Sequence, residues 1–282
     1  MDSVLDRTRK ALDGFERREV AINGVNTVVY SAGTGSPLVY LHGSGTFTGF
    51  GFANGWTASH QVVIPFHPGY GESADDDRIE SIQDYVLHYL DLFDKLGLET
   101  LNLVGSSLGG WIASEIAVMQ PNRLDKLVLA APGGLYVNDV PSTDLFSVHP
   151  RDLASYLVAD PGVLAPFFPT GHDIEFMALR YRETTSTARL IWERPGNPKL
   201  DQWLHRISCE TLLLWGEQDR VKPLGQADRW LKLLPNARLE VMKGLGHLPL
   251  DESADAADVV LKFLKDKASV AAPTKSRTRK VS

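Results

Sequence analysis

The chain has 282 residues, a length that suits one large α/β domain with a small insertion at least as well as two domains, and its 43% hydrophobic and 23% charged residues are ordinary for a globular protein. A domain of this length buries roughly three quarters of the surface of its unfolded chain, so it needs no disulfide or structural metal to hold it together. The net charge of -6 and pI of 5.8 argue against a nucleic-acid surface, and no apolar run reaches the roughly 18 residues of a bilayer span.

The N-terminus, Met1 to Arg7, is charged and lacks the apolar stretch of a secretory signal, so a cytoplasmic location is expected. Arg18 to Ile22 and Thr27 to Ser31 read as strands joined by Asn23-Gly24, a hairpin signal. Four apolar runs then end in glycine or proline punctuation. Pro37 to Leu41 runs into His42-Gly43-Ser44-Gly45, and Gln61 to Pro65 into His67-Pro68-Gly69-Tyr70-Gly71. Leu101 to Val104 runs into Gly105-Ser106-Ser107-Leu108-Gly109, and Leu124 to Ala131 into Pro132-Gly133-Gly134. Runs without alternation suit strands covered on both faces. Helical spacing over Ile79–Leu96, stopped by Gly97, and over Leu108–Met119 predicts right-handed crossovers in a doubly wound sheet.

From residue 135 to 206 prolines, aromatic residues and short helical stretches such as Asp173–Thr184 replace this rhythm. We expect a helical cap there, dividing the core into 1–134 and 207–267. Strand patterns return at Thr211–Trp215 and Arg238–Met242, with helices over Leu224–Leu234 and from about Ser253 to Lys267. The small and polar residues 268–282, with four basic side chains, predict a disordered tail. The one cysteine, Cys209, cannot form an internal disulfide and is expected to pack as a small hydrophobe.

Gly105-Ser106-Ser107-Leu108-Gly109 matches G-x-S-x-G between a strand and a helix, the setting that a strained strand-to-helix turn requires. Ser107 is the candidate nucleophile. The helix end behind it favours negative charge, which makes the Leu108 amide a candidate oxyanion donor, with the Ser44 amide as the second. His247, in the glycine-flanked loop after the last strand, is the candidate base. Asp219, just past the strand ending at Gly216, is the candidate for orienting it, with Glu217 as rival and Asp125 and Asp251 disfavoured by position.

With these segments in the order Ser, Asp, His, the chain resembles the α/β-hydrolase-fold enzymes from about Val20 to Lys265. The resemblance rests on His42-Gly43-Ser44-Gly45, Pro68-Gly69-Tyr70-Gly71-Glu72-Ser73, Gly105 to Gly110, Trp215 to Asp219 and Gly246-His247. It implies a mostly parallel sheet of about eight strands with a helical cap inserted after the sixth, and a serine hydrolase without cofactor or metal. Subgroups with an aspartate nucleophile do not fit a serine at 107. Ala131 to Leu135 and the His42 loop also look like the carbon–carbon bond hydrolases of aromatic meta-cleavage pathways. Those carry a lid arginine, for which Arg180 or Arg182 is the candidate, and tend to have a tryptophan where this chain has Leu248.

The leading expectation is hydrolysis of a carboxylic ester, or related acyl bond, of a small hydrophobic substrate. Its contacts would come from His42, Gly43, Arg180, Trp192 and Leu248. Cleavage of a vinylogous diketone is the second reading, and a small-molecule receptor on the same fold is the alternative of another class. A monomer or homodimer is expected.

Overall fold

The computed structural model describes residues 4–266, so the expected tail at 268–282 lies outside the described residues. Eight strands form one sheet: β1 (Glu16–Ile22), β2 (Val25–Ala32), β3 (Ser36–Leu41), β4 (His60–Pro65), β5 (Leu101–Ser106), β6 (Leu124–Ala130), β7 (Glu210–Gly216) and β8 (Ala237–Met242). Their spatial order is β1-β2-β4-β3-β5-β6-β7-β8, and β2 alone runs against the others. Asn23 and Gly24, at φ 49° and 86°, make the tight turn between β1 and β2.

The continuous apolar strands are explained by cover on both faces. Val39, Leu41, Leu103, Leu127, Leu129, Leu213 and Trp215 point into one core. Leu38, Tyr40, Val104, Val128, Ala130, Leu212 and Leu214 point into the other. The first core is closed by α2 (Ile82–Lys95), α3 (Leu108–Met119) and α7 (Ala227–Leu233), and the second by α9 (Ala254–Lys265). Among the described residues no helix is long and apolar enough to cross a membrane.

Helix ends follow local chemistry. α2 begins three residues later than its apolar spacing suggests, because Ser81 and Asp84 form a capping box that fixes the start. It ends at Gly97, φ 69°, as expected. The cap's long helix, α5 (Ile174–Ile191), extends well past Thr184. The run Thr184-Thr185-Ser186-Thr187 has low helix propensity, and the burial of Ser186, Thr187 and Leu190 carries the helix through it. The shorter helices α4 (Leu153–Leu157) and α6 (Leu200–Trp203) lie on the same connection between β6 and β7, and α8 (Pro249–Glu252) follows β8. α1 (Val4–Lys10) precedes the sheet.

After β3 the chain crosses to β4 on one side and then returns to β5 on the other. That reversal leaves a crevice beyond the exit ends of β3 and β5, where ligands bind in open α/β sheets. The two strand ends lie close because α3 approaches β3 without a side chain between them. A Cβ at Gly109 would overlap the carbonyl oxygens of Leu41 and His42. Gly109→Ala is expected to destabilise the protein by about 1–3 kcal/mol, read as a lower urea midpoint at unchanged slope. A neutral result would mean that α3 has room to withdraw from β3.

Candidate active site

Ser107 sits between β5 and α3 at φ 51° and ψ −111°, a conformation that costs a residue with a Cβ energy to hold. Neighbouring backbone fixes it there. The Ser107 N–H donates to the Ala130 carbonyl at 2.9 Å, and its carbonyl accepts from Gly133 N at 2.9 Å and Trp111 N at 3.1 Å. Gly105 and Gly109 are needed beside it, since a Cβ at Gly105 would strike Gly109 and Ala113. The hydroxyl is thereby lifted out of the sheet end, next to the first free amides of α3.

His247 and Asp219 reach the same place from β8 and β7. Ser107 Oγ lies 2.9 Å from His247 Nε2, and Asp219 Oδ2 accepts from His247 Nδ1 at 2.9 Å. The other Asp219 oxygen accepts the amides of Val221 (2.8 Å) and Lys222 (2.7 Å), so the carboxylate is held by three donors in a buried position. Glu217, the rival acid, accepts the Gly244 amide at 3.0 Å instead and supports the turn after β8. Asp125 is exposed on β6.

The His247 loop is fixed by a residue that the sequence did not single out. Glu252 accepts the Gly246 amide at 2.6 Å with one oxygen and the Ala159 amide of the cap at 2.7 Å with the other. Leu248 N donates to Leu157 O at 3.0 Å, so the histidine loop and the cap are joined twice.

A cavity of about 130 Å³ opens beside Ser107, lined on the core side by Tyr40, Gly43, Ser44, Thr48, Ser106 and Asp251. Leu145, Leu153, Leu157, Arg180 and Thr184 line it from the cap, and His247 and Leu248 complete it. Among the candidates read from sequence, Ser107, His247, Ser44, Gly43, Arg180 and Leu248 therefore meet here, with Asp219 and Leu108 directly behind.

Three candidates, Trp192, His42 and Arg182, do not. Trp192 is 70% exposed and borders other surface hollows. His42 is fully buried behind the loop: its Nδ1 donates to the Gly43 carbonyl at 2.6 Å, and its Nε2 accepts the His67 amide at 3.0 Å. Desolvation pushes its pKa down to about 3, so it is a neutral structural imidazole that shapes the Gly43–Gly45 turn. His67 is likewise held neutral by burial, donating from Nε2 to the His42 carbonyl. Arg182 points its guanidinium at the Gly71 carbonyl.

Arg180 is held by Glu183, a fully buried carboxylate on α5, at 2.7 Å, with its guanidinium 4.9 Å from the centre of the Phe47 ring. Glu183 also accepts the amide and hydroxyl of Thr46 and the amide of Gly71, which ties the cap helix to the loops after β3 and β4. Asp251 was disfavoured as the orienting acid, and it makes no bond to His247; it faces the cavity instead. Cys209 is partly buried against the core, and desolvation raises its thiol to about 11, consistent with packing.

Burial raises Asp251 to about 6, with the Thr48 hydroxyl opposing the effect and the Glu252 charge adding to it. An acid whose folded pKa lies above its unfolded value of about 3.8 loses stability as pH rises from one value to the other. Asp251→Asn removes that loss while Glu252, Tyr40 and His247 stay in place around it. The variant is expected to gain on wild type between pH 4 and pH 7 in chemical denaturation. Parallel curves for the two proteins would mean that Asp251 ionises normally.

A family model described as the alpha/beta hydrolase family matches residues 38–260. A 2-hydroxy-6-oxo-6-phenylhexa-2,4-dienoate hydrolase of Comamonas testosteroni is 29% identical over 84% of this chain and 90% of its own length. A 2-hydroxy-6-oxo-2,4-heptadienoate hydrolase of Pseudomonas putida is 27% identical over 82% and 89%. Among solved structures, a meta-cleavage product hydrolase from Pseudomonas fluorescens superposes with a TM-score of 0.74 at 22% identity, covering 88% of this chain and 97% of that one. The naproxen esterase of Bacillus subtilis superposes with a TM-score of 0.72 at 21% identity, covering 92% and 96%.

Proposed function

The chain belongs to the alpha/beta hydrolase family, and from that premise we propose that it hydrolyses a carboxylic ester of a small, mainly apolar substrate, with Ser107 as nucleophile. The supporting observation is the unbroken line of hydrogen bonds from Asp219 through His247 to Ser107, each 2.9 Å long, ending at the wall of the cavity.

In this reading Ser107 Oγ attacks the carbonyl carbon while His247 Nε2 takes its proton. Asp219 keeps Nδ1 protonated and stabilises the imidazolium without accepting the proton itself. The oxygen of the tetrahedral intermediate is met by the amides of Leu108 and Ser44, and the positive end of α3 favours its charge. Collapse returns the proton from His247 to the leaving alcohol. A water, deprotonated in turn by His247, then attacks the acyl-enzyme and releases the acid. Residues 135–206 serve as the cap over this chemistry, in a cytoplasmic protein.

The charge of the cavity wall favours a neutral ester. Arg180 is already paired with Glu183, while Asp251 presents an acid without a cation beside it. Carbon–carbon bond hydrolysis is the second reading. The names of the curated relatives favour it, as does a lid arginine bordering the cavity.

A cavity of about 130 Å³ is near the size that holds one benzene ring, so short acyl chains should be preferred. Across p-nitrophenyl esters, acetyl and butanoyl are expected to outpace octanoyl. Ser107→Ala is expected to lower kcat by about 10⁴-fold or more. Undiminished turnover in Ser107→Ala would sink the assignment. Folded wild type that ignores every ester but cleaves a 2-hydroxy-6-oxo-dienoate would establish the second reading, and silence on both would point to a receptor.

A further inference from the structure

The core-side wall of the cavity carries a polar cluster for which the proposed acyl transfer has no use. Tyr40, Thr48 and Ser106 are almost fully buried, yet each borders the cavity, together with Asp251. They share one wall of the cavity, where the Thr48 hydroxyl favours the charged form of Asp251 and the Ser106 hydroxyl that of the Tyr40 phenol. They come from β3, from the loop after it, from the end of β5 and from α8, so the fold collects them immediately beside Ser107.

Two features make this more than a structural tie between α8 and the loop after β3. A carboxylate has about four acceptor positions, and at most one on Asp251, toward Thr48, is answered among the described residues. The cation bordering the same cavity, Arg180, is committed to Glu183 at 2.7 Å, and no ion pair to Asp251 is found among the described residues. An acid in this setting is stabilised by any donor that enters the cavity.

We propose that Asp251, with Tyr40, Thr48 and Ser106, forms a subsite for a hydroxyl group on the substrate and turns away a carboxylate at that position. The proposal rests on the serine-hydrolase reading above for the placement of the scissile carbonyl at Ser107. A hydroxyl fits this wall because it donates to the Asp251 carboxylate and accepts from a neighbouring hydroxyl at once. An ammonium group has donors only, and leaves the hydroxyl donors of the wall unanswered. A second carboxylate has acceptors only and meets a like charge. The small volume restricts the hydroxyl to a short arm, a few atoms from the carbonyl.

The test uses ethyl propanoate and its derivatives ending in a hydroxyl, an ammonium or a carboxylate group, with turnover followed by proton release. Binding of the same uncleaved esters to Ser107→Ala is measured in parallel by calorimetry. In wild type the hydroxyl ester is expected to exceed the unsubstituted one by about tenfold in kcat/KM, the size of one hydrogen bond to a charged group. The carboxylate ester is expected to be the poorest substrate. Asp251→Leu, alone and combined with Ser107→Ala, should abolish the hydroxyl preference in turnover and binding alike. Asp251→Asn, which keeps the shape, should admit the carboxylate ester while keeping part of the hydroxyl preference, and it carries the test if the leucine variant does not fold.

A hydroxyl preference that stays the same in both variants overturns the subsite, as does a preference for the ammonium ester in wild type. Absence of turnover, combined with an Asp251-dependent binding preference in Ser107→Ala, removes the esterase reading and leaves the subsite standing. Failure of Ser107→Ala to bind any of the four esters overturns the subsite.

Discussion

A side chain with a Cβ seldom adopts the left-handed backbone that Ser107 holds at φ 51°, and residues kept in such regions cost of the order of 1–3 kcal/mol. The conformation survives because its surroundings leave it no alternative. Ala130 takes its amide, Gly133 and Trp111 give to its carbonyl, and glycines on either side let α3 press against β3 and β5. From that one backbone turn follow the exposure of the hydroxyl, the aim of the helix end and the position of the crevice. The loops after β7 and β8 need only bring Asp219 and His247 to a point already defined. A similar demand appears at Gly216, where a Cβ would overlap the backbone of Leu245 and Gly246, so that β7 abuts the turn carrying His247.

Two carboxylates couple the cap to this frame. Glu183 reaches from α5 to Thr46 and Gly71 while holding Arg180, and Glu252 joins Gly246, next to His247, to Ala159 of the cap. Hydrogen bonds from backbone amides to a charged acceptor are among the stronger ones a protein makes. Displacing the cap would break several of them together. The cavity is thus bounded by cap and core elements that these bonds join directly.

The sheet was legible because its strands are short apolar runs ended by glycine or proline, and the elbow because strand, G-x-S-x-G and helix occur in one unbroken stretch. Asp219 and His247 were legible for the same reason: each lies just past a strand. What escaped is of another kind. Glu183 looks like one charged residue among several in an amphipathic helix, and only tertiary packing buries it completely. Asp251 lies four positions after His247, in a proline-started turn, and nothing local says that this turn folds back over the cavity. His42 was misplaced for the opposite reason. Position after a strand correctly put it in the loop beside Ser107, but the side chain turns inward to His67, since both its ring nitrogens find backbone partners there. Aromatic character suggested Trp192 as a lid contact, and its exposure shows how little composition says about which face of a cap a residue occupies.

The distribution of charge around the cavity also bears on why the curated relatives and this chain need not share a substrate. A dienoate brings its own carboxylate, and a guanidinium without a partner could neutralise it. In this chain Glu183 already balances Arg180, so an incoming anion must compete with a buried ion pair rather than complete one. Asp251 adds a second unfavourable term on the other wall. Leu248, where the meta-cleavage enzymes tend to have a tryptophan, offers an apolar surface but no donor. These features act in the same direction and come from separate elements, α5, α8 and the loop after β8. A neutral carbonyl compound encounters none of these penalties, and the apolar cap wall of Leu145, Leu153 and Leu157 gains from covering it. On the reading proposed above, Ser107 and His247 keep their roles while the charge of the cavity favours an uncharged ester over an acid anion.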